Sequence, residues 1–114
     1  MTAVLETLRW TAICRLDDLI VERGAAALVD GAQLAVFRLH DGRVRAVGNL
    51  DPLCGAHVIS RGIVGSRGDR AVVASPMHKQ SYDLETGECL YAPGVALPVY
   101  PTRVRGGVVE VAAP

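Results

Sequence analysis

Two segments of this chain each follow an apolar run, and the longer one reads Ser75-Pro76-Met77-His78-Lys79-Gln80-Ser81-Tyr82-Asp83-Leu84-Glu85-Thr86-Gly87. The run before it, Ala71-Val72-Val73-Ala74, is typical of a strand covered on both faces. Ser75-Pro76 ends that strand because proline cannot donate a ladder hydrogen bond. The shorter segment reads Asn49-Leu50-Asp51-Pro52-Leu53-Cys54-Gly55-Ala56-His57. We expect both segments to be loops at the ends of strands.

The rest of the chain is punctuated by turn dipeptides at short intervals, namely Asp30-Gly31, Asp41-Gly42, Gly68-Asp69, Thr86-Gly87 and Gly106-Gly107. This spacing predicts an all-β sandwich or barrel. Residues 34–40 and 43–48 are expected to form a hairpin around a two-residue type I′ turn at Asp41-Gly42. Residues 108–111 predict a closing strand, and residues 16–23 a short helical turn that ends before Gly24.

Composition limits the classes to which the protein can belong. A chain of 114 residues fits one domain, residues 1–114. Half of the residues are apolar but only 4% are aromatic, so the core must consist of Val, Leu, Ile and Ala, with Trp10 and Phe37 as rare large fillers. Twelve basic residues balance twelve acidic ones, which argues against nucleic acid as a partner.

The apolar runs are too short for a signal peptide or a membrane span, which predicts a cytoplasmic protein with no membrane partner. The three cysteines, Cys14, Cys54 and Cys89, match no secreted scaffold, so we expect reduced thiols. Cys14 and Cys89 are expected to pack as small buried hydrophobes.

The order and separation of the two loops resemble the Rieske domain. In that family the first loop reads Cys-Pro-His-x-Gly-Ala, the second reads Cys-Pro-x-His-Gly-x-x-Phe-Asp-Leu-x-Thr-Gly, and the paired Cys and His residues hold a 2Fe-2S cluster. The resemblance implies an all-β, Rieske-like antiparallel β-sandwich with the two loops at the cluster position. The residues that turn and anchor the loops are retained, namely Pro52, Gly55-Ala56, Pro76 and Tyr82-Asp83-Leu84-Glu85-Thr86-Gly87.

The cluster ligands themselves are replaced. On the family pattern, Asp51 and Leu53 stand at the first Cys and His positions, and Ser75 and His78 stand at the second. Only His78 keeps a ligand type, whereas a Rieske cluster needs two thiolates and two imidazoles. We therefore predict that these four ligand positions are vacant and that the chain binds no cofactor of its own.

A chain that keeps the Rieske loop residues but lacks the cluster ligands is similar to the small subunit of bacterial assimilatory NAD(P)H-dependent nitrite reductase. Members of that family carry Asp-Pro-x-x-Gly-Ala, Ser-Arg-Gly-Ile-Val-Gly and Ala-Ser-Pro-x-x-Lys-Gln, which stand here at residues 51–56, 60–65 and 74–80. The resemblance implies an accessory subunit, without chemistry of its own, that docks on and stabilises a large subunit. FAD, siroheme and a 4Fe-4S cluster in that large subunit would carry electrons from NAD(P)H to nitrite.

The two loop tips are the candidate partner interface, with Leu53, Cys54 and His57 in one and Met77, His78 and Lys79 in the other. Apolar Leu53 and Met77 at loop tips would mark an interaction surface, because adjacent exposed apolar groups often do. An equally good hypothesis is that Leu53 and Met77 pack on each other and plug the vacant cluster site.

The sequence is also compatible with three further hypotheses. Cys54, His57 and His78 could hold a metal ion through three protein ligands and a water. The chain could instead be a Rieske-type ferredoxin or a free-standing binding module.

Three loop residues are expected to be required for the backbone conformation of the loops. Gly55 and Gly87 should adopt conformations that are costly to other residues, and Pro76 should rigidify its loop.

Overall fold

The computed structural model describes residues 9–77 and 80–113. Its strands are β1 (Arg9–Arg15), β2 (Gly24–Val29), β3 (Ala32–Arg38), β4 (Val44–Gly48), β5 (Leu50–Asp51), β6 (Ala56–His57), β7 (Ile63–Arg67), β8 (Arg70–Ala74), β9 (Ser81–Asp83), β10 (Val99–Tyr100), β11 (Thr102–Arg105) and β12 (Val108–Ala113). Short 3-10 turns lie at Leu16–Asp18 and Ile59–Arg61. In the part of the chain described, no helix is long and apolar enough to cross a membrane.

Two antiparallel sheets pack face to face and form the base of the domain. One has the order β10-β4-β3-β2 and the other the order β1-β12-β11. The core between them contains Leu19, Val29, Leu34, Val36, Val44, Ala46, Val109 and Val111. In the second sheet Arg9 pairs with Ala113, so the two ends of the described fold are cross-strand neighbours.

A second core lies on the other side of the β10-β4-β3-β2 sheet. Its buried members are Ala35, Phe37, Leu39, Val47, Ile59, Val73, Tyr82, Leu84, Cys89 and Leu97. Strand β3 serves both cores, because alternate side chains of a strand point to opposite faces. Leu34 and Val36 face the first core, whereas Ala35 and Phe37 face the second. The sheet β7-β8-β9 and the small hairpin β5-β6, which carry the two loops, belong to this second side of the domain.

The hairpin predicted for residues 34–48 is confirmed, but the turn type is wrong. Strands β3 and β4 pair from Leu34–Gly48 to Arg38–Val44. The Leu39 amide donates to the Arg43 carbonyl and the Gly42 amide to the Leu39 carbonyl, so the loop has three residues. Gly42 has a φ of 90°, while Asp41 keeps a negative φ, which matches a type I turn followed by a left-handed glycine. Two-residue turns with both φ values positive lie at Asp30-Gly31, at 48° and 83°, and at Gly106-Gly107, at 59° and 78°.

The predicted helical turn over residues 16–23 is largely wrong. A 3-10 turn ends at Asp18, and Gly24 already belongs to β2. The intervening chain runs alongside β3, where the Glu22 amide donates to the Arg38 carbonyl at 2.6 Å. Pairing with a neighbouring strand has replaced helical hydrogen bonding in this segment.

Of the two expected large core fillers, only Phe37 is fully buried. Trp10 is half-buried on the β1-β12-β11 sheet, and the guanidinium of Arg103 stacks 4.1 Å from its ring centroid. Cys89 is buried in the second core as expected, whereas Cys14 is half-buried at the margin of the first.

Candidate functional site

The first loop is a tight turn between β5 and β6. The carbonyl of Asp51 accepts hydrogen bonds from the amides of Cys54, at 3.3 Å, and Gly55, at 2.8 Å. Gly55 has a φ of 77°, which is costly for residues with a Cβ atom, so the predicted need for glycine is confirmed. Asn49 secures the base of the turn, since its Oδ1 accepts from the Ser60 amide at 2.7 Å.

The second loop connects β8 to β9. It is closed by the Ser75 amide, which donates to the Gln80 carbonyl at 2.8 Å. Beyond β9, Oδ1 of Asp83 accepts from the amides of Glu85 and Thr86, at 2.7 and 3.0 Å. Gly87 completes this turn with a φ of 82°, as predicted. The motif Tyr82 to Gly87 is therefore a turn organised by one buried carboxylate.

The two loops meet through side chains at the former ligand positions. The carboxylate of Asp51 is fully buried, and its Oδ2 accepts a hydrogen bond from the Ser75 hydroxyl at 2.5 Å. Its Oδ1 accepts from the Tyr82 hydroxyl at 2.8 Å and from the Leu53 amide at 3.0 Å. We call Asp51, Ser75 and Tyr82 the carboxylate junction.

The junction favours an ionised Asp51 next to a neutral Tyr82. Burial raises the pKa of Asp51, but the hydrogen bonds from Ser75, Tyr82 and Leu53 hold it below the usual value of 3.8. Burial and the adjacent Asp51 carboxylate raise the pKa of Tyr82 well above that of free tyrosine. Asp51 therefore acts as an acceptor, and Tyr82 as a donor, throughout the neutral range.

Tyr82 is the junction residue whose role sequence reasoning missed. The Rieske pattern has Phe at this position, so the additional hydroxyl was the available signal. The ring of Tyr82 is buried in the second core, and the hydroxyl lies beneath both loops. Its contact with Asp51 joins residues that are 31 positions apart in the sequence.

The candidate interface residues divide by exposure. Leu53 is 39% exposed and Met77 is 56% exposed. His57 is exposed and Cys54 is half-buried, while His78 and Lys79 lie outside the described residues. The exposure of both apolar tips argues against the hypothesis in which Leu53 and Met77 plug the site, because the buried space between the loops is occupied by the carboxylate junction instead.

The donors at this position do not fit a Rieske cluster. Asp51 and Ser75 stand where the thiolates would be, and the Ser75 hydroxyl donates a hydrogen bond to the Asp51 carboxylate. Leu53 offers no donor atom in its side chain, whereas such a cluster requires two thiolates and two imidazoles. Among residues 9–77 and 80–113, no group of three His, Cys, Asp or Glu side chains is placed to hold a metal ion. The metal site considered at Cys54, His57 and His78 includes a residue outside these ranges.

Comparisons with known proteins agree with the fold and with the arrangement of loops. The profile of the Rieske-like [2Fe-2S] domain matches residues 9–112. The nitrite reductase (NADH) small subunit of Salmonella typhimurium is 38% identical over 104 residues, which cover 90% of this chain and 96% of that protein. A nitrite reductase [NAD(P)H] large subunit from Klebsiella oxytoca is 37% identical over 102 residues, which cover 90% of this chain but 11% of that protein.

A crystal structure from Mycobacterium tuberculosis, described as a proposed NADH-dependent nitrite reductase small subunit, superimposes with a TM-score of 0.91. It is 53% identical in sequence, and the match covers 94% of this chain and 96% of that one. The likeness therefore extends over whole chains and includes both loops.

Proposed function

Since this chain belongs to the Rieske-like [2Fe-2S] domain family and, within it, to the nitrite reductase small subunits, we propose that it is the accessory subunit of an NAD(P)H-dependent nitrite reductase. It docks on the large subunit and stabilises it. The large subunit reduces nitrite to ammonia, and this chain contributes no reacting group. The observation that carries the proposal is the carboxylate junction. A Rieske-like fold here joins its two loops by hydrogen bonds and lacks the thiolate and imidazole ligands that a 2Fe-2S cluster needs.

The partner is inferred from the way the same domain occurs in relatives. It makes up 96% of the Salmonella small subunit but 11% of the Klebsiella large subunit. Covalent linkage to a large subunit raises the effective concentration of the domain at that subunit. A domain that occurs fused in one protein and separate in another is therefore expected to act on the same large subunit in both cases. The occurrence of this domain inside a large subunit favours a dedicated large-subunit partner over a free-standing binding module.

The cofactors are proposed to lie in the partner. FAD, siroheme and a 4Fe-4S cluster in the large subunit would carry electrons to nitrite, and this chain would carry none. The oxygen donors of Asp51 and Ser75 also speak against an electron-carrying ferredoxin. We further propose a cytoplasmic location, which the free thiols of Cys14, Cys54 and Cys89 support, since unpaired cysteines are typical of reducing compartments.

The docking surface is proposed to be the pair of loop tips. Leu53 and Met77 are its exposed apolar centre, with Cys54 and His57 beside Leu53 and with His78 and Lys79 following Met77 in the chain. Because Leu53 is 39% and Met77 56% exposed, covering the remaining surface would stabilise a complex by about 0.5–1.5 kcal/mol for each side chain. The positive charge of Lys79, two residues after Met77 in the chain, would mainly affect association rate and orientation.

The experiment is co-expression with a tagged large subunit from the same organism, followed by affinity purification and a nitrite-dependent NAD(P)H oxidation assay. We expect the chain to co-purify, and we expect activity to fall when it is omitted. A large subunit that is fully active and stable alone, and that retains none of this chain, would refute the proposal.

The surface is tested with the double variant Leu53→Ser, Met77→Ser. Its matched control is Ile20→Ser, Val104→Ser, which removes two exposed apolar side chains from other elements of the fold. We expect the tip variant to fold normally but to lose co-purification, and the control to retain it. Equal retention of both variants would exclude the loop tips as the contact.

A further inference from the structure

We propose that Asp51, Ser75 and Tyr82 form a hydrogen-bonded staple that replaces the metal cluster as the link between the two loops and positions Leu53 and Met77 for docking. The inference rests on the proposed function for its partner, but the staple itself can be measured in the isolated chain. It assigns a positioning role to three residues that touch no substrate.

An unbroken series of hydrogen bonds runs from one loop tip to the other. The Leu53 amide donates to Oδ1 of Asp51 at 3.0 Å, and Oδ2 of the same carboxylate accepts from the Ser75 hydroxyl. Oγ of Ser75 in turn accepts from the Met77 amide at 3.3 Å. Each exposed apolar residue is therefore held through its own backbone, and the two anchors contact each other directly.

Tyr82 attaches this series of hydrogen bonds to the second core. Tyr82 lies on β9 with its ring fully buried, and its hydroxyl reaches the Asp51 carboxylate at 2.8 Å. The amide of Asp83, the next residue, pairs with the Glu88 carbonyl at 2.9 Å, so the strand beneath the junction is itself secured. The staple thus fixes the tips relative to the body of the domain as well as to each other.

A buried carboxylate is chemically able to replace a cluster as the link between the loops. A cluster links two loops through four metal–ligand bonds, whereas a buried carboxylate can do so by accepting several hydrogen bonds at once. Hydrogen bonds to a charged acceptor are shorter and stronger than neutral ones. Preorganised loops lose less conformational entropy on binding, so the staple should increase affinity without contacting the partner.

The test compares Ser75→Ala and Ser75→Cys with the wild type. The first removes the hydroxyl, and the second keeps a side chain of similar shape but weak hydrogen-bonding capacity. Thr102→Val is the matched control, because it removes a half-buried hydroxyl that donates to the Val44 carbonyl at 2.7 Å in the base of the domain. Two quantities are measured: amide hydrogen exchange at Leu53 and Met77 in the isolated chain, and Kd for the large subunit.

We expect both Ser75 variants to accelerate exchange at Leu53 and Met77 and to raise Kd by roughly five- to thirtyfold, the effect of losing about one or two kcal/mol. The control should lose comparable stability with neither change. If Ser75→Ala does not fold, Tyr82→Phe removes a single hydroxyl from the same carboxylate, and faster exchange at Leu53 with a raised Kd is expected there.

The outcomes separate the two proposals. Unchanged exchange at both tips would overturn the staple, whether or not the chain binds. Faster exchange with an unchanged Kd would overturn its positioning role. Failure of the wild-type chain to bind the large subunit would instead refute the proposed function, and the exchange measurements would still decide whether the staple exists.

Discussion

Gly87 and Gly31 allow the cost of a steric contact to be separated from the cost of a backbone conformation. Their φ values are 82° and 83°, so alanine meets nearly the same strain at both positions. Left-handed backbone costs an L-residue about 1–2 kcal/mol. The surroundings differ: a Cβ atom at Gly31 meets nothing within 4 Å, whereas at Gly87 it would overlap the carbonyl oxygen of Leu97 and lie 3.0 Å from Cγ2 of Val99.

The overlap at Gly87 cannot be relieved cheaply. The Leu97 amide donates to the Gly87 carbonyl at 2.8 Å, so moving Leu97 away would break a backbone hydrogen bond. Forced overpacking costs about 1–3 kcal/mol. We therefore expect Gly31→Ala to lower the free energy of unfolding by about 1–2 kcal/mol and Gly87→Ala by about 2–5 kcal/mol, with Gly87→Val at least as damaging.

Thermal and urea denaturation, followed by circular dichroism, measure both variants. In small domains each kcal/mol lowers Tm by about 4–8 °C, so the two losses are readily resolved. Equal losses of stability for Gly87→Ala and Gly31→Ala would refute the steric argument and, with it, the close approach of the turn after β9 to Leu97.

Three further predictions concern the junction and the base of the domain. Because the pKa of Asp51 is depressed in the folded state, the ionised carboxylate stabilises the fold above the usual pKa of 3.8, and this stabilisation is lost as pH falls below it. In urea denaturation, the difference in unfolding free energy between wild type and Asp51→Asn should therefore shrink at acid pH. A constant difference would contradict a depressed pKa for Asp51. Incubation with iron and sulfide should leave no stable 2Fe-2S cluster, because Asp51, Leu53 and Ser75 replace its ligands, and a Rieske-type paramagnetic signal from the reduced protein would overturn this. Arg103→Ala should alter Trp10 fluorescence and lower stability by about 0.5–2 kcal/mol, since the guanidinium stacks on the indole; an unchanged emission spectrum would speak against that contact.

Much of the fold follows from local patterns in the sequence. The strands at residues 71–74 and 108–111 and the hairpin at residues 34–48 were predictable, because apolar runs and turn dipeptides are local signals. The length of the Asp41-Gly42 loop was not. The dipeptide Asp-Gly is compatible with a two-residue turn and with a three-residue loop. Here the hydrogen bond from the Leu39 amide to the Arg43 carbonyl fixes the longer loop.

Long-range partners account for the remaining errors. Trp10 was expected in the core, but its partner Arg103 lies on β11, far along the chain. The position of the site could be predicted because the loop motifs could be laid on a known family. The junction could not, because no local pattern shows that the side chains of Asp51 and Ser75, 24 positions apart, point at each other.

Cross-strand pairing of Arg9 with Ala113 brings the two ends of the described fold together. Opposed residues of antiparallel strands lie about 4.5–5.5 Å apart, so the first and last residues of the described fold lie close together. A host protein could therefore accept the domain at either of its own ends, or within a surface loop, and would need to provide only one attachment site. The same geometry should permit circular permutation, in which a short linker joins the paired ends and new ends open in a turn such as Gly106-Gly107, where Gly106 is exposed.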